Sequence, residues 1–99
     1  MNEQEVRAIV RQYRQGLEEI FGDRLAAVLL YGSWARGEAR EDSDIDVVCV
    51  LRPPFEYREA IRLTSALTAR LSLAHDIVIS RVFVSAPDWR TRGLPLNGV

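Results

Sequence analysis

Two segments of the chain repeat apolar side chains at three- and four-residue spacing, which is the period of an amphipathic α-helix. The first segment ends at Gly22 and Asp23, and its apolar positions are Val6, Ile9, Val10, Tyr13, Leu17, Ile20 and Phe21. The second runs from Glu56 to Leu71, with apolar residues at Tyr57, Ala60, Ile61, Leu67 and Leu71. The pattern therefore predicts two long helices.

Three other stretches are continuously apolar or rich in β-branched residues, and they predict buried strands. These stretches are Leu25–Tyr31, Ile45–Leu51 and Asp76–Ser85. Residues 32–43, between the first two, are polar and contain two glycines, so a loop or a short helix is expected there. The order helix, strand, loop, strand, helix, strand predicts a sheet covered by helices.

The chain is expected to form a single domain over residues 1–99, because it contains no internal repeat or linker. With 47% hydrophobic residues it can bury one core. The tail, residues 86–99, contains two prolines and two glycines, and one helical turn is predicted around Asp88–Arg92.

The composition removes several classes of chemistry. The thirteen basic residues are all arginine, which excludes mechanisms that need lysine, such as Walker-type phosphate loops and Schiff bases. Cys49 is the only cysteine, so an internal disulfide and a thiolate zinc site are excluded as well. A formal net charge of −1 provides no overall basic field, and direct DNA binding is not expected.

The localisation is predicted from the absence of two signals. The longest uncharged apolar stretch, Leu25–Tyr31, is far shorter than the ~20 residues of a membrane span. The first residues, MNEQEV, are acidic rather than signal-like. We therefore expect a soluble, cytoplasmic protein that does not associate with membranes.

Candidate chemistry begins at Asp44 and Asp46, at the start of the second predicted strand. Because side chains alternate along a strand, both carboxylates point to one face, with Cα atoms roughly 6.6 Å apart. Such a pair repels, and a hard divalent cation, Mg²⁺ or Mn²⁺, would neutralise both charges. The spacing predicts a metal site there. Other acidic residues nearby lack this geometry and are expected to be solvated, namely Glu38, Glu41 and Asp42.

Gly32 and Ser33 lie where the first predicted strand ends. Glycine lets backbone N–H groups approach a ligand closely and serine adds a hydroxyl, so this turn suits phosphate oxygens. A helix N-cap role fits Ser33 equally well. Arg36 would either contact phosphate with both prongs of its guanidinium or hold the loop by pairing with a carboxylate.

Asp76 is a third candidate carboxylate, because it opens the third predicted strand and a neighbouring strand would carry it to the same cluster. Three carboxylates beside a phosphate-binding turn suit two-metal phosphoryl or nucleotidyl transfer, in which metals ~3.5–4 Å apart stabilise the entering and leaving oxygens. The alternative is a plain turn residue between helix and strand. The adjacent His75 does not indicate a hydrolase triad, because no G-x-S-x-G elbow is present.

Gly32-Ser33, ten intervening residues and Asp44-Ile45-Asp46 together resemble the signature of the minimal nucleotidyltransferases of the DNA polymerase beta superfamily. The fuller pattern G-S-x-x-R-G-x5-S-D-x-D is matched without a gap and includes Arg36, Gly37 and Ser43. The resemblance implies an α+β nucleotidyltransferase fold, with a small mixed β-sheet of about three to four strands flanked by helices.

The resemblance also implies roles for single residues. Asp44 and Asp46 would hold two Mg²⁺ ions, with Mn²⁺ as a substitute. Asp76 would bind the metal nearer the acceptor and take the proton of the acceptor hydroxyl. The reaction would transfer NMP to a hydroxyl and release pyrophosphate, and the favoured donor is ATP, which supplies AMP. The implied nucleotide-binding residues are Gly32, Ser33, Arg36 and Ser43.

Short members of this family are often paired with HEPN-type toxins, as antitoxins that adenylylate a tyrosine of the toxin. The resemblance therefore implies a HEPN-domain toxin as the partner, and homo- or hetero-oligomers are compatible with it. Two other functions stay open. One is a binding module that neutralises such a partner by contact alone, and the other is nucleotidyl transfer to a small molecule such as an antibiotic.

Overall fold

A computed structural model describes residues 1–91 of the chain. Its elements in chain order are α1 (Glu3–Phe21), a 3₁₀ turn (Gly22–Arg24), β1 (Leu25–Tyr31), α2 (Gly32–Arg36), β2 (Ile45–Leu51), α3 (Tyr57–His75), β3 (Ile79–Ser85) and α4 (Ala86–Thr91). This order confirms the α+β class. The helical turn predicted around Asp88–Arg92 corresponds to α4, while Arg92 and the rest of the tail lie outside the described residues.

Within residues 1–91 the strands form a three-stranded mixed sheet in the order β1-β2-β3. β1 and β2 are antiparallel, and Tyr31 lies opposite Asp46. β2 and β3 are parallel, and Asp46 lies beside Ser80. Because β2 is the central strand, its first residues have neighbours on both sides.

Helices α1 and α3 cover one side of the sheet, which we call the closed face. Each helix is 19 residues long, and no helix in the described part of the chain is long and apolar enough to cross a membrane. α1 begins with a capping box in which Asn2 and Glu5 bond each other's backbone N–H. Its apolar side joins Val47 and Cys49 of β2 and Leu67 of α3 in the main core.

On the opposite side of the sheet, which we call the open face, the only helix among residues 1–91 is the six-residue α4. Val48 and Val50 of β2 form a second, smaller cluster there with Trp89 of α4. Tyr31 and Val82 remain 40% and 36% exposed. Since side chains alternate along β2, Asp46 lies on this open face together with Val48.

The third predicted strand requires a correction, because β3 begins at Ile79 and not at Asp76. The preceding helix continues to His75, four residues beyond the predicted end at Leu71. Asp76 then takes the left-handed conformation, with φ 51° and ψ 50°. The backbone N–H groups of Asp76 and Ile77 both donate to the carbonyl of Ser72. These bonds satisfy the last turn of α3 and make Asp76 its C-terminal cap.

Candidate active site

The carboxylate of Asp46 lies against the backbone of Gly32. Gly32 has φ +73°, in the left-handed region that favours glycine. A Cβ at this position would overlap Oδ2 of Asp46. β1 ends at Tyr31, opposite Asp46, so the antiparallel pairing itself brings the turn after β1 to the acidic pair. Glycine is therefore required at position 32 both for the backbone conformation and for the close approach.

The turn after β1 is the short helix α2, which agrees with the expectation of a loop or short helix. Gly32 and Ser33 are its first two residues, and both are half-buried. The helix ends at Arg36 and is capped by Gly37, which is also left-handed, and the N–H groups of Gly37 and Glu38 donate to the carbonyl of Ser33. This arrangement holds the Gly-Ser turn beside the start of β2.

The loop that leads into Asp44 is fixed by Trp34, a contact that the sequence pattern does not reveal. The indole of Trp34 is 8% exposed, and its Nε1 donates to the backbone carbonyl of Ser43 at 2.9 Å. The hydroxyl of Ser43 accepts from the N–H of Arg40 at 2.8 Å. Ser43 thus holds the loop, and Trp34 anchors the backbone immediately before the first aspartate.

Arg36 is paired with a carboxylate of its own loop. Its Nε donates to Oε2 of Glu38 at 3.0 Å, and the two side chains are 60% and 65% exposed. An exposed pair of this kind contributes at most about 1 kcal/mol, so Arg36 is free to exchange Glu38 for another anion. Its positive charge also acts on Asp46, whose pKa it lowers.

The net effect on Asp46 is nevertheless a pKa above its ordinary value. Partial burial is the largest cause, and the negative charge of Asp44 is the second. The pKa of Tyr31 is raised as well, chiefly by burial and next by the negative charge of Asp46. A divalent cation would relieve the repulsion between the two carboxylates, and an all-oxygen donor set is the one that Mg²⁺ and Mn²⁺ prefer. The residues present therefore fit a hard divalent metal ion.

Asp76 does not join this pair. It is exposed at the end of α3, and residues 1–91 contain no group of three or more His, Cys, Asp or Glu side chains placed to hold a metal ion. The expected placement fails because β3 starts three residues later than the sequence pattern predicted. The structure thus brings Gly32, Asp44 and Asp46 together and leaves Asp76 outside.

Two polar residues that sequence reasoning missed flank Asp46 on the open face. Tyr31 is its partner in β1, and Ser80 is its partner in β3. Tyr31 could have been found from its position directly before Gly32. Ser80 could not, because its place depends on where β3 begins and on its register with β2.

The structure holds the acidic pair against the Gly-Ser turn at one end of the sheet, where the first strand ends and the central strand begins. The family model of the nucleotidyltransferase domain matches residues 10–89. The chain therefore belongs to this family, as its signature indicated, and it is a minimal nucleotidyltransferase domain.

Curated relatives agree with this family. The chain is 36% identical over 76 residues to Protein adenylyltransferase MntA of Thermococcus cleftensis, covering 77% of this chain and 75% of that protein. It is 32% identical over 78 residues to "Putative protein adenylyltransferase MJ0141" of Methanocaldococcus jannaschii, covering 79% and 78% of the two chains. A second protein of that organism, "Putative protein adenylyltransferase MJ0604", is 29% identical over 85 residues, or 86% and 76% of the two chains.

Proposed function

We propose that the chain is a metal-dependent adenylyltransferase that transfers AMP from ATP to a hydroxyl group of another protein. The observation that carries the proposal is the approach of Asp46 to Gly32, which joins the acidic pair to the Gly-Ser turn. Relatives named protein adenylyltransferases support a protein as the acceptor. The acceptor oxygen would bond to the α-phosphorus while the bond to pyrophosphate breaks, and the hydroxyl proton would be released.

Each residue of the site has a definite part in this proposal. Asp44 and Asp46 would hold the divalent cation, Mg²⁺ or Mn²⁺, which supplies positive charge for the triphosphate when it is bound. Gly32 and Ser33 would present backbone N–H groups and a hydroxyl to the phosphate oxygens. Arg36 would leave Glu38 and pair with a phosphate, because a guanidinium binds two phosphate oxygens at once.

We further propose a tyrosine of a HEPN-type toxin as the acceptor, so that the chain acts as the antitoxin in the cytoplasm. The family resemblance of the Gly-Ser and Asp-x-Asp motifs supports this partner, and within residues 1–91 no long helix covers the open face. Tyr31 is exposed next to the acidic pair, and Val82 is exposed next to Ser80.

The test is a labelling reaction with Mg²⁺ and ATP that carries the label on its α-phosphate, in a lysate of the organism that encodes the chain. We expect a labelled protein band that depends on the added chain, and no chain-dependent band when the label is on the γ-phosphate. Asp44→Asn and Asp46→Asn should each reduce labelling by ~10²-fold or more, because a metal ligand is lost. Asp42→Asn is the matched control, since it removes a loop carboxylate and should retain labelling.

Labelling that survives in both Asp44→Asn and Asp46→Asn would contradict the proposal.

One observation favours a second candidate, a binding module that neutralises its partner by contact, since only two carboxylates converge in the described part of the chain. That candidate predicts that both variants still neutralise a HEPN-type toxin when the two proteins are produced together. Loss of neutralisation in the variants would exclude it.

A further inference from the structure

Ser80 is the residue of β3 that lies beside Asp46. In a parallel sheet, residues in register point to the same side, and adjacent strands are about 4.8 Å apart. The orientation of β3 is fixed from the other side by its next residue, Arg81. Nε of Arg81 donates to Oγ1 of Thr64 at 2.9 Å, and Nη2 donates to the carbonyl of Ile61 at 3.0 Å. These bonds tie Arg81 to α3 on the closed face, so Ser80 faces the open side with Asp46.

The strand position beside Asp46 is thus filled by a neutral hydroxyl. Asp76, four residues earlier, is held in the cap of α3, and no third acidic side chain completes a metal-binding group within residues 1–91. The formal charge of the pair is −2, and Arg36 offsets part of it at Asp46. This charge matches one divalent cation and falls short of two.

We propose that Ser80 occupies the third ligand position of the metal site, so that the chain is one carboxylate short of a site for two cations and holds a single one. The inference rests on the proposed function, because it concerns the same site. It makes a gain-of-function prediction: a carboxylate at position 80 lies next to Asp46 and supplies the missing charged ligand.

The experiment measures Mn²⁺ binding to the full, nucleotide-free chain by electron paramagnetic resonance, because free and bound Mn²⁺ give different spectra. Ser80→Asp should lower the Kd for Mn²⁺ by about tenfold or more, since affinity rises with the number of charged oxygen ligands. Ser80→Asn introduces a side chain with the shape of aspartate but without its charge, and this variant should bind Mn²⁺ as the unmodified chain does. Ser80→Cys, which nearly keeps the size of serine, should gain binding of the thiol-seeking ion Cd²⁺.

Two controls separate a ligand from a nearby charge. Val82→Asp adds a carboxylate on the same face of β3, roughly 6.6 Å further along, where it attracts the cation without reaching it. Its gain in Mn²⁺ affinity should be smaller than that of Ser80→Asp. Asp76→Asn should leave Mn²⁺ binding unchanged. Circular dichroism and thermal unfolding verify that each variant is folded.

The inference is overturned if folded Ser80→Asp binds Mn²⁺ no more tightly than Ser80→Asn or Val82→Asp, and Ser80→Cys gains no Cd²⁺ binding. It is also overturned if Asp76→Asn loses affinity for Mn²⁺, because Asp76 would then be the third ligand.

Asp44→Asn distinguishes the two proposals. If Asp44→Asn changes neither Mn²⁺ binding nor labelling, the proposed function fails. If Asp44→Asn loses both while Ser80→Asp gains nothing, only the present inference fails.

Discussion

The closed and open faces of the sheet treat their polar groups in opposite ways. On the closed face, Tyr13 and Arg81 bond to hydroxyls of α3, and no buried side-chain nitrogen or oxygen in residues 1–91 lacks a hydrogen-bond partner. On the open face, Asp44 and Asp46 are like charges held close together, and the pKa of Asp46 is raised. The comparison teaches that packing and satisfied hydrogen bonds stabilise the fold from one side, while the other side keeps an unfavourable arrangement that a ligand can relieve.

The closed-face hydrogen bonds form two directed chains. Oγ1 of Thr68 donates to the carbonyl of Thr64 at 2.7 Å, so the hydroxyl of Tyr13, 2.6 Å from Oγ1, is the donor to Thr68. Burial raises the pKa of Tyr13 to about 12, which keeps this hydroxyl protonated at any ordinary pH. The second chain starts at Arg81, whose Nε donates to Oγ1 of Thr64, and that hydroxyl donates to the carbonyl of Ala60 at 2.8 Å.

The largest stability effect should come from removing bulk on the closed face. Leu17 is fully buried in α1, so Leu17→Ala should lower the free energy of unfolding by about 3 kcal/mol through lost burial and the cavity left behind. Urea titration followed by circular dichroism measures the change. The folded fraction should still transfer label, because the open face is not altered. A loss below about 1 kcal/mol would contradict the assigned core.

The junction between the turn and Asp46 should give the next largest effect, and two glycines with φ +73° provide a matched pair. At Gly37 a Cβ would meet no atom within 4 Å, so Gly37→Ala carries only the left-handed backbone cost of about 1–2 kcal/mol. Gly32→Ala carries that cost and also displaces the carboxylate of Asp46. We expect lower stability and much weaker labelling for Gly32→Ala than for Gly37→Ala. Equal behaviour of the two variants would show that the turn does not position Asp46.

Two tyrosines sharpen the comparison of the faces at a smaller scale. Tyr13→Phe should destabilise the chain by about 1 kcal/mol, because a buried hydrogen bond to Thr68 is lost. Tyr31→Phe removes a hydroxyl from a side chain that is 40% exposed, and it should leave the free energy of unfolding unchanged. Urea titrations of both variants measure the contrast. The reverse order of effects would contradict the assignment of the two faces.

The smallest effect concerns the pH dependence of the metal-free chain. Because the pKa of Asp46 is raised above its ordinary value of 3.8, the folded state binds more protons than the unfolded state just above that pH. Stability contributed by Asp46 is therefore lost as pH rises through this window. Asp46→Asn should be slightly more stable than the unmodified chain at pH 7, and the difference should vanish below pH 3.8. Thermal unfolding of both proteins at several pH values tests the sign of this stability difference.

Most of the fold could be predicted from the sequence, because local pattern determines its elements. β1 and β2 have the predicted bounds, since each is a short apolar run enclosed by turn residues. The start of β3 could not be predicted, because Asp76 and Ile77 are claimed by hydrogen bonds to Ser72 that close α3.

The site was predictable only as far as its residues are close in sequence. The signature singles out Gly32, Ser33, Asp44 and Asp46 as candidates, because their spacing is itself the motif. Ser80 lies beside Asp46 through strand register, and Trp34 anchors the loop before Asp44 through a hydrogen bond from its indole to the backbone carbonyl of Ser43. Such tertiary relations leave no periodic trace in the sequence.

The most direct test of the separation of the two faces is to measure unfolding and AMP transfer on the same preparations of Asp46→Asn and the unmodified chain. The account predicts an equal or slightly higher free energy of unfolding for Asp46→Asn at pH 7, with label transfer reduced to background. A variant that still transfers AMP, or that loses its transfer only because it has unfolded, would contradict the claim that the open face carries the function and the closed face the fold.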